Sequence, residues 1–184
     1  MRKLLISLFF LNSTVSTLCA EQVRFCNYES VFVTGEVVGD STSVLTGCNG
    51  QLFLSDNNGL ELRLKQDTSI KRMNEPLSCK NKIFLERGTL GVRVASETVF
   101  IRTPFAAIRT RNATIVLKVT DTMTRLCVLK GNAVLKQGTN FVSVNQNNEI
   151  AVAKWKVSSP YRFLDDLRYT WYWTTADKEP AFRE

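Results

Sequence analysis

The 184-residue chain contains no histidine. That absence removes the usual general base and the usual partner that activates a serine or cysteine nucleophile, so Ser-His and Cys-His machinery is excluded. It also weakens any zinc site, because the cysteines show no close pair to make up for the missing imidazoles. No phosphate-cradling loop is present, since the glycines fall singly inside strand-like patterns. Apart from Leu4 to Leu11 there is no sustained apolar run, and that one is too short to span a bilayer. No cofactor and no metal is expected, and a non-enzymatic role is the stronger reading.

What is present is alternation. From Phe84 to Val119, Val92 and Val94 flank Arg93, Val99 and Ile101 flank Phe100, and Ala113, Ile115, Leu117 and Val119 alternate with Thr114, Val116 and Lys118. This period of two belongs to strands buried on one face, and the stretch predicts three consecutive strands. Pro104, after Thr103, ends one of them because proline has no N–H to give to a ladder.

Short strands are predicted on either side: Val31 to Val38, Gln51 to Leu54, Leu60 to Leu64, a weaker one near Ile70, then Phe141 to Val144 and Ile150 to Val152. The joins use turn vocabulary such as Gly39-Asp40-Ser41, Asp56-Asn57-Asn58-Gly59 and Asn145-Gln146-Asn147-Asn148. The fold expected is all-β: a sandwich, roll or stacked β-strand domain, with a short helix from about Pro160 to Arg168. That helix would be capped by Ser158-Ser159 and would lay Phe163, Leu164 and Leu167 on the β core.

Three words recur, each an apolar run before a glycine and an apolar residue two positions after it: around Gly35, Gly88 and Gly131. A glycine inside a strand pattern marks a bulge, a sharp bend or a close backbone approach. The spacings of 53 and 43 residues are unequal, so the repeat is degenerate. The words Ile83-Phe84-Leu85-Glu86-Arg87-Gly88-Thr89-Leu90-Gly91-Val92, Phe100-Ile101-Arg102-Thr103-Pro104 and Val128-Leu129-Lys130-Gly131-Asn132-Ala133-Val134 occur in an order and spacing that resembles the FecR-like domain. The resemblance covers about Val31 to Val152. It implies an exported β domain of the kind found in bacterial transmembrane sensors and in free-standing envelope proteins. The family usually has Gly-Thr after the Thr-Pro strand, where this chain reads Asn112-Ala113-Thr114; asparagine tolerates a left-handed backbone, so the turn is expected to survive.

The start, with Arg2-Lys3, the Leu4 to Leu11 core and Leu18-Cys19-Ala20, has the layout of a secretory signal peptide. Residues 1–20 are read as that leader, with 21–157 as the FecR-like domain and 158–184 as the helix and an aromatic tail. The leader holds two basic residues and no acidic one, which leaves 22 Lys and Arg against 17 Asp and Glu, a net +5. Localisation is expected in the periplasm or at the cell surface or beyond. Four mature cysteines, Cys26, Cys48, Cys79 and Cys127, fit two disulfides in an oxidising compartment. The repeat favours Cys26 with Cys79, because each lies nine residues before its glycine, and leaves Cys48 with Cys127.

Two binding features stand out. Arg102, Arg109 and Arg111 flank the Thr-Pro turn and, with Arg93 and Lys118, could hold carboxylates or phosphates, although outward-facing strand arginines are ordinary. Tyr169, Trp171 and Trp173 could form a stacking platform or a docked seal. Asp165-Asp166 reads as a solvated helix face, and Glu36, Glu86 and Glu149 suggest no site from sequence alone, which leaves a carboxylate hydrolase as the least favoured reading. In sensors, resemblance implies that such a domain passes a signal from an outer-membrane partner through a membrane helix to a sigma-factor-binding segment. This chain shows neither helix nor segment, so the expected role is a module that docks an envelope protein, with an anionic envelope glycan such as peptidoglycan as the alternative. No nucleic acid is expected as a partner.

Overall fold

The computed structural model describes residues 24–25, 28–73 and 82–162. Every regular element in them is a strand, and all strand pairs are antiparallel. In chain order they are β1 (Arg24–Phe25), β2 (Tyr28–Thr34), β3 (Val37–Gly39), β4 (Ser43–Thr46), β5 (Gln51–Ser55), β6 (Glu61–Leu64) and β7 (Ser69–Arg72). Then come β8 (Lys82–Arg102), β9 (Ala107–Val119), β10 (Met123–Gln137), β11 (Asn140–Asn145), β12 (Asn148–Ala153), β13 (Lys156–Val157) and β14 (Tyr161–Arg162). The main path runs β1-β2-β5-β6-β8-β9-β10-β12-β13, β3-β4-β7 joins β8 as a branch, β11 lies beside β10, and β14 lies beside β12.

Three long strands organise this sheet, and each changes phase along its length. In β8 the apolar side chains facing the core are Ile83 and Leu85, then Leu90, Val92 and Val94, then Val99 and Ile101. In β9 the core-facing residues pass from Ile108 and Thr110 to Ala113, Ile115 and Leu117, and in β10 from Leu126 and Val128 to Ala133 and Leu135. A slip of one residue would throw an apolar row into water, so each change of phase needs a residue taken out of the ladder. The ladder is interrupted where it must be. Val94/Ala113 is followed by Thr98/Arg111, and the β9–β10 register shifts between Val128 and Asn132. Ala95–Glu97, Asn112 and Gly131 therefore mark one line across three neighbouring strands.

In β9 and β10 the backbone at that line is left-handed. Asn112 has φ 49° and Gly131 φ 78°, and a Cβ on Gly131 would run into the carbonyl oxygen of Asn112. The asparagine takes the left-handed conformation expected of it. Gly35 (φ 64°) and Gly88 (φ 92°) make equivalent corners, the first closed over the backbone of Asn49 and the second over that of Thr68. Buried threonines supply hydrogen bonds beside the Gly88 corner. Thr68 N–H donates to Thr46 Oγ1 at 2.9 Å, Thr89 N–H donates to Thr68 Oγ1 at 2.9 Å, and Thr68 Oγ1 donates to the Thr89 carbonyl at 3.1 Å. These bonds satisfy groups that water cannot reach.

The apolar rows meet in one core that extends from Phe25 and Tyr28 to Ile150 and Val152. The all-β expectation holds, with three differences of detail. The first two strands read in the Phe84 to Val119 stretch are one strand, β8, because the Ala95–Glu97 bulge bends it without ending it. The strand read from Val31 to Val38 is two, β2 and β3, because Gly35 breaks it with a positive φ. The predicted helix from Pro160 begins instead as β14, held to β12 through the Glu149/Tyr161 and Asn148/Arg162 pairs, and its remainder lies outside the described residues.

Cys48 is exposed in the β4–β5 connection and carries no disulfide, so the Cys48–Cys127 bridge is not formed. Cys127 is buried in β10, opposite Val116 and Glu149. Cys26 and Cys79 lie outside the described residues.

The corners make a prediction about stability. Gly88→Ala combines a positive φ with a backbone collision and is expected to cost about 3 kcal/mol. Gly138→Ala, at φ 57° with no atom within 4 Å of the new Cβ, carries only the backbone term of about 1 kcal/mol. Urea midpoints of the two variants check this, and equal losses would contradict it.

A basic and aromatic candidate binding face

Beyond the bend line, the outer parts of β8, β9 and β10 together with β11 form a four-stranded patch. Cross-strand neighbours share a face, so its outward rows follow from the register. One row is Phe100, Arg109, Val134 and Ser143; the next is Arg102, Ala107, Lys136 and Phe141; the third is Thr98, Arg111, Asn132 and Asn145. The inward residues between them, including Val99, Ile101, Ile108 and Leu135, are buried.

This face presents large apolar side chains to solvent: Phe141 is 66% exposed, Phe100 41% and Val134 38%. Its charge is of one sign. The three rows hold Arg102, Arg109, Arg111 and Lys136 and no carboxylate. The cations lie against the rings, with the Arg109 guanidinium 5.7 Å from the centre of Phe100 and the Lys136 ammonium 5.1 Å from that of Phe141. Such contacts hold long side chains flat along apolar surface while leaving their heads to meet an anion. Arg111 Nε donates to the Ser96 carbonyl at 2.9 Å, which ties the face to the β8 bulge.

At one end the face opens into a groove of about 900 Å3 beside the Thr103–Ala106 turn. The turn is braced by its own threonine, whose Oγ1 accepts from Ala106 N–H at 3.0 Å while Thr103 N–H donates to the Ala106 carbonyl at 2.8 Å. Pro104 sits at its tip, where no ladder hydrogen bond is required of it.

The structure thus brings Arg102, Arg109 and Arg111 together and separates the other two basic candidates from them. Arg93 lies across the bend line and pairs with Glu61 at 3.7 Å, and Lys118 stands between Thr89 and Arg125 in the ladder. Tyr169, Trp171 and Trp173 lie outside the described residues, as do Asp165 and Asp166. Sequence reasoning missed Phe100, Val134, Lys136 and Phe141. The signal was there in Phe100 and Phe141, which stand on the outward phase of strands whose other phase is apolar.

A second cluster is chemically distinct. Glu149 is fully buried, and its Oε1 accepts from Arg125 Nε at 2.5 Å and from Tyr161 Oη at 2.9 Å. Burial raises the Tyr161 pKa, and its donation to Glu149 and that carboxylate's charge raise it further. The arrangement fixes β14 onto β12 and offers no second carboxylate for acid–base work. Glu86 is occupied by Lys71 and Ser69, whose hydrogen bonds hold its pKa below the ordinary value. Among the described residues no cluster of three His, Cys, Asp or Glu side chains could hold a metal, and no helix is long and apolar enough to cross a membrane.

The FecR family model, described as FecR protein, matches residues 42–134, just over half of the chain. The chain belongs to the FecR family. Two crystal structures of a protein from Parabacteroides distasonis, provisionally described as an anti-sigma factor, share its fold with a TM-score of 0.58 each, at 16% and 15% identity. The alignments cover 73% of this FecR chain and 65% of those proteins, so the chain matches less than two thirds of their length. No curated protein matches it. The family match spans the bend line and three of the four cations, and it stops before Lys136 and β11.

Removing Arg125 would leave a buried carboxylate, and Arg125→Met is expected to cost about 3 kcal/mol or more. The Tyr161 contribution has the opposite pH sense from a carboxylate's. Its folded pKa is raised, so that contribution is whole below the unfolded value of about 10 and is lost as pH rises through the folded one. Urea melts between pH 8 and about 11 check this, and Tyr161→Phe is expected to flatten that limb.

Proposed function

We propose that this FecR-family chain is an exported, non-enzymatic interaction module of the bacterial cell envelope. It docks an acidic segment of a protein partner on the outer face of β8–β11. The single observation behind this reading is the face itself, where three exposed apolar side chains lie among four cations with no carboxylate in the same rows. Apolar side chains give a docked partner area to bury, and charge of one sign selects which partner approaches. Arginines beside aromatic rings are the side chains most often found at energetic hot spots of protein interfaces. The buried carboxylate of Glu149 is held by Arg125 and Tyr161 through Oε1 and has no second carboxylate beside it to share acid–base work. The leader of residues 1–20 supports export, and release at Ala20 would make Glu21 the first residue of the envelope form.

The test is photocrosslinking in cells of the source organism, with a benzophenone side chain at position 100 or 141 and a control at Val38, which is also apolar and 65% exposed. One discrete protein adduct at 100 and 141 but not at 38, lost in Arg109→Glu/Lys136→Glu, is the expected outcome. Equal adducts at all three positions would overturn the reading. Absence of protein adducts, with salt-sensitive pelleting of the purified chain on cell-wall sacculi, would transfer the face to an anionic glycan.

A further inference from the structure

Sheets guard their edges against chance pairing with charge, proline, bulges or very short strands. Most edges here follow that rule: β1, β13 and β14 have two residues each and β3 has three. β11 does not. It has six residues, Asn140-Phe141-Val142-Ser143-Val144-Asn145, with no charge and no proline, and it pairs with β10 in an unbroken register from Asn132/Asn145 to Gln137/Asn140. On its other side it has no strand partner among the described residues. Asn140, Phe141, Ser143 and Asn145 are exposed.

The direction of its free hydrogen-bonding groups follows from the hairpin. β10 and β11 are joined by the two residues Gly138 and Thr139, so the closing pair Gln137/Asn140 is hydrogen bonded, and bonded and non-bonded pairs then alternate. The amides of Asn140, Val142 and Val144 point to β10, and those of Phe141 and Ser143 point away from the sheet. We infer that β11 receives an added strand from the partner protein, an extended segment with carboxylates on its outer face. This rests on the reading of the chain as a protein-docking module.

Charge chooses the occupant. A strand added to β11 lies two spacings, about 10 Å, from β10, a gap that a glutamate and a lysine side chain span together. Lys136 stands beside Phe141, with Arg102 beyond Ala107 in the same row and Arg109 in the next, so the charged side chains that an outward carboxylate next to Phe141 meets in these rows are all cations. A second copy of this chain would instead bring a like-charged face alongside. The main-chain bonds supply affinity, and the alternate side chains supply the choice of partner.

The probe is a fluorescein-labelled nine-residue peptide alternating glutamate and valine, with two controls: the same peptide N-methylated at alternate amides, and one with lysine in place of glutamate. Anisotropy is measured against the mature chain, its Ser143→Pro variant and Arg109→Glu/Lys136→Glu. The inference expects binding of the acidic peptide with slowed amide exchange at Phe141 and Ser143. It also expects at least tenfold weaker binding of both control peptides to the native chain and of the acidic peptide to Ser143→Pro. The N-methylated peptide makes the same test on unaltered protein, so misfolding of a variant cannot imitate the result. Binding that is indifferent to N-methylation and to Ser143→Pro, yet lost in Arg109→Glu/Lys136→Glu, would overturn strand addition while leaving the face in place. No binding of the acidic peptide, or dimerisation of the chain through β11, would overturn the inference as well.

Discussion

A long strand can bend and still bury the same face only if it loses a residue from its ladder where it bends. That constraint governs this fold. β8, β9 and β10 each meet it at the same level, with Ala95–Glu97, Asn112 and Gly131 side by side. On either side of the line, the apolar rows point into one core. Because the phase changes there, Phe100, Arg109 and Val134 point outward although the residues of the same strands across the line follow the other parity. The face therefore depends on the bend.

Left-handed residues at the corners are conformationally costly for most side chains, and glycine and asparagine are the residues that reduce that cost. The corners also bring backbones close enough that a Cβ would collide, which couples neighbouring strands and prevents them from straightening singly. Threonines complete the polar accounting: Thr46, Thr68 and Thr89 pass hydrogen bonds between adjacent turns, and Thr124 meets Thr103 at 2.8 Å. Each is buried and each is paired, so the interior bends carry few unsatisfied groups.

Much of the fold was legible in the sequence, because a period of two, punctuated by glycine words, has few structural meanings. The alternation from Phe84 to Val119 placed the central strands, and Asn112 could be read as a residue able to take a glycine's place. What escaped was the consequence of parity. Val94 and Val99 are five apart, which can mean two strands or one strand with a bulge, and only the partner strand decides between them. The arginines were visible as residue types, yet Arg93 and Arg102 looked alike in sequence. The structure parts them, because the bulge lies between them and Glu61, directly opposite on the neighbouring strand β6, takes up the first. Tyr161, read as the start of a helix after Ser158-Ser159-Pro160, pairs with Glu149 as a strand, and the rest of that predicted helix lies outside the described residues. Lys136 and Phe141 belonged to no sequence motif; they became neighbours through the β10–β11 register.

The bend line takes a left-handed residue in β9 and in β10 and a bulge in β8, and Asn112 is where it can be probed with least disturbance. Its φ of 49° is open to glycine and to asparagine and is strained for a β-branched residue. The measurement is the urea midpoint of Asn112→Gly beside that of Asn112→Val, both exposed substitutions on β9. Glycine is expected to leave stability within about 0.5 kcal/mol, and valine, despite its higher strand propensity, to cost about 2 kcal/mol or more. A valine variant as stable as the glycine one would contradict this, because β9 could then pass the line without a left-handed residue.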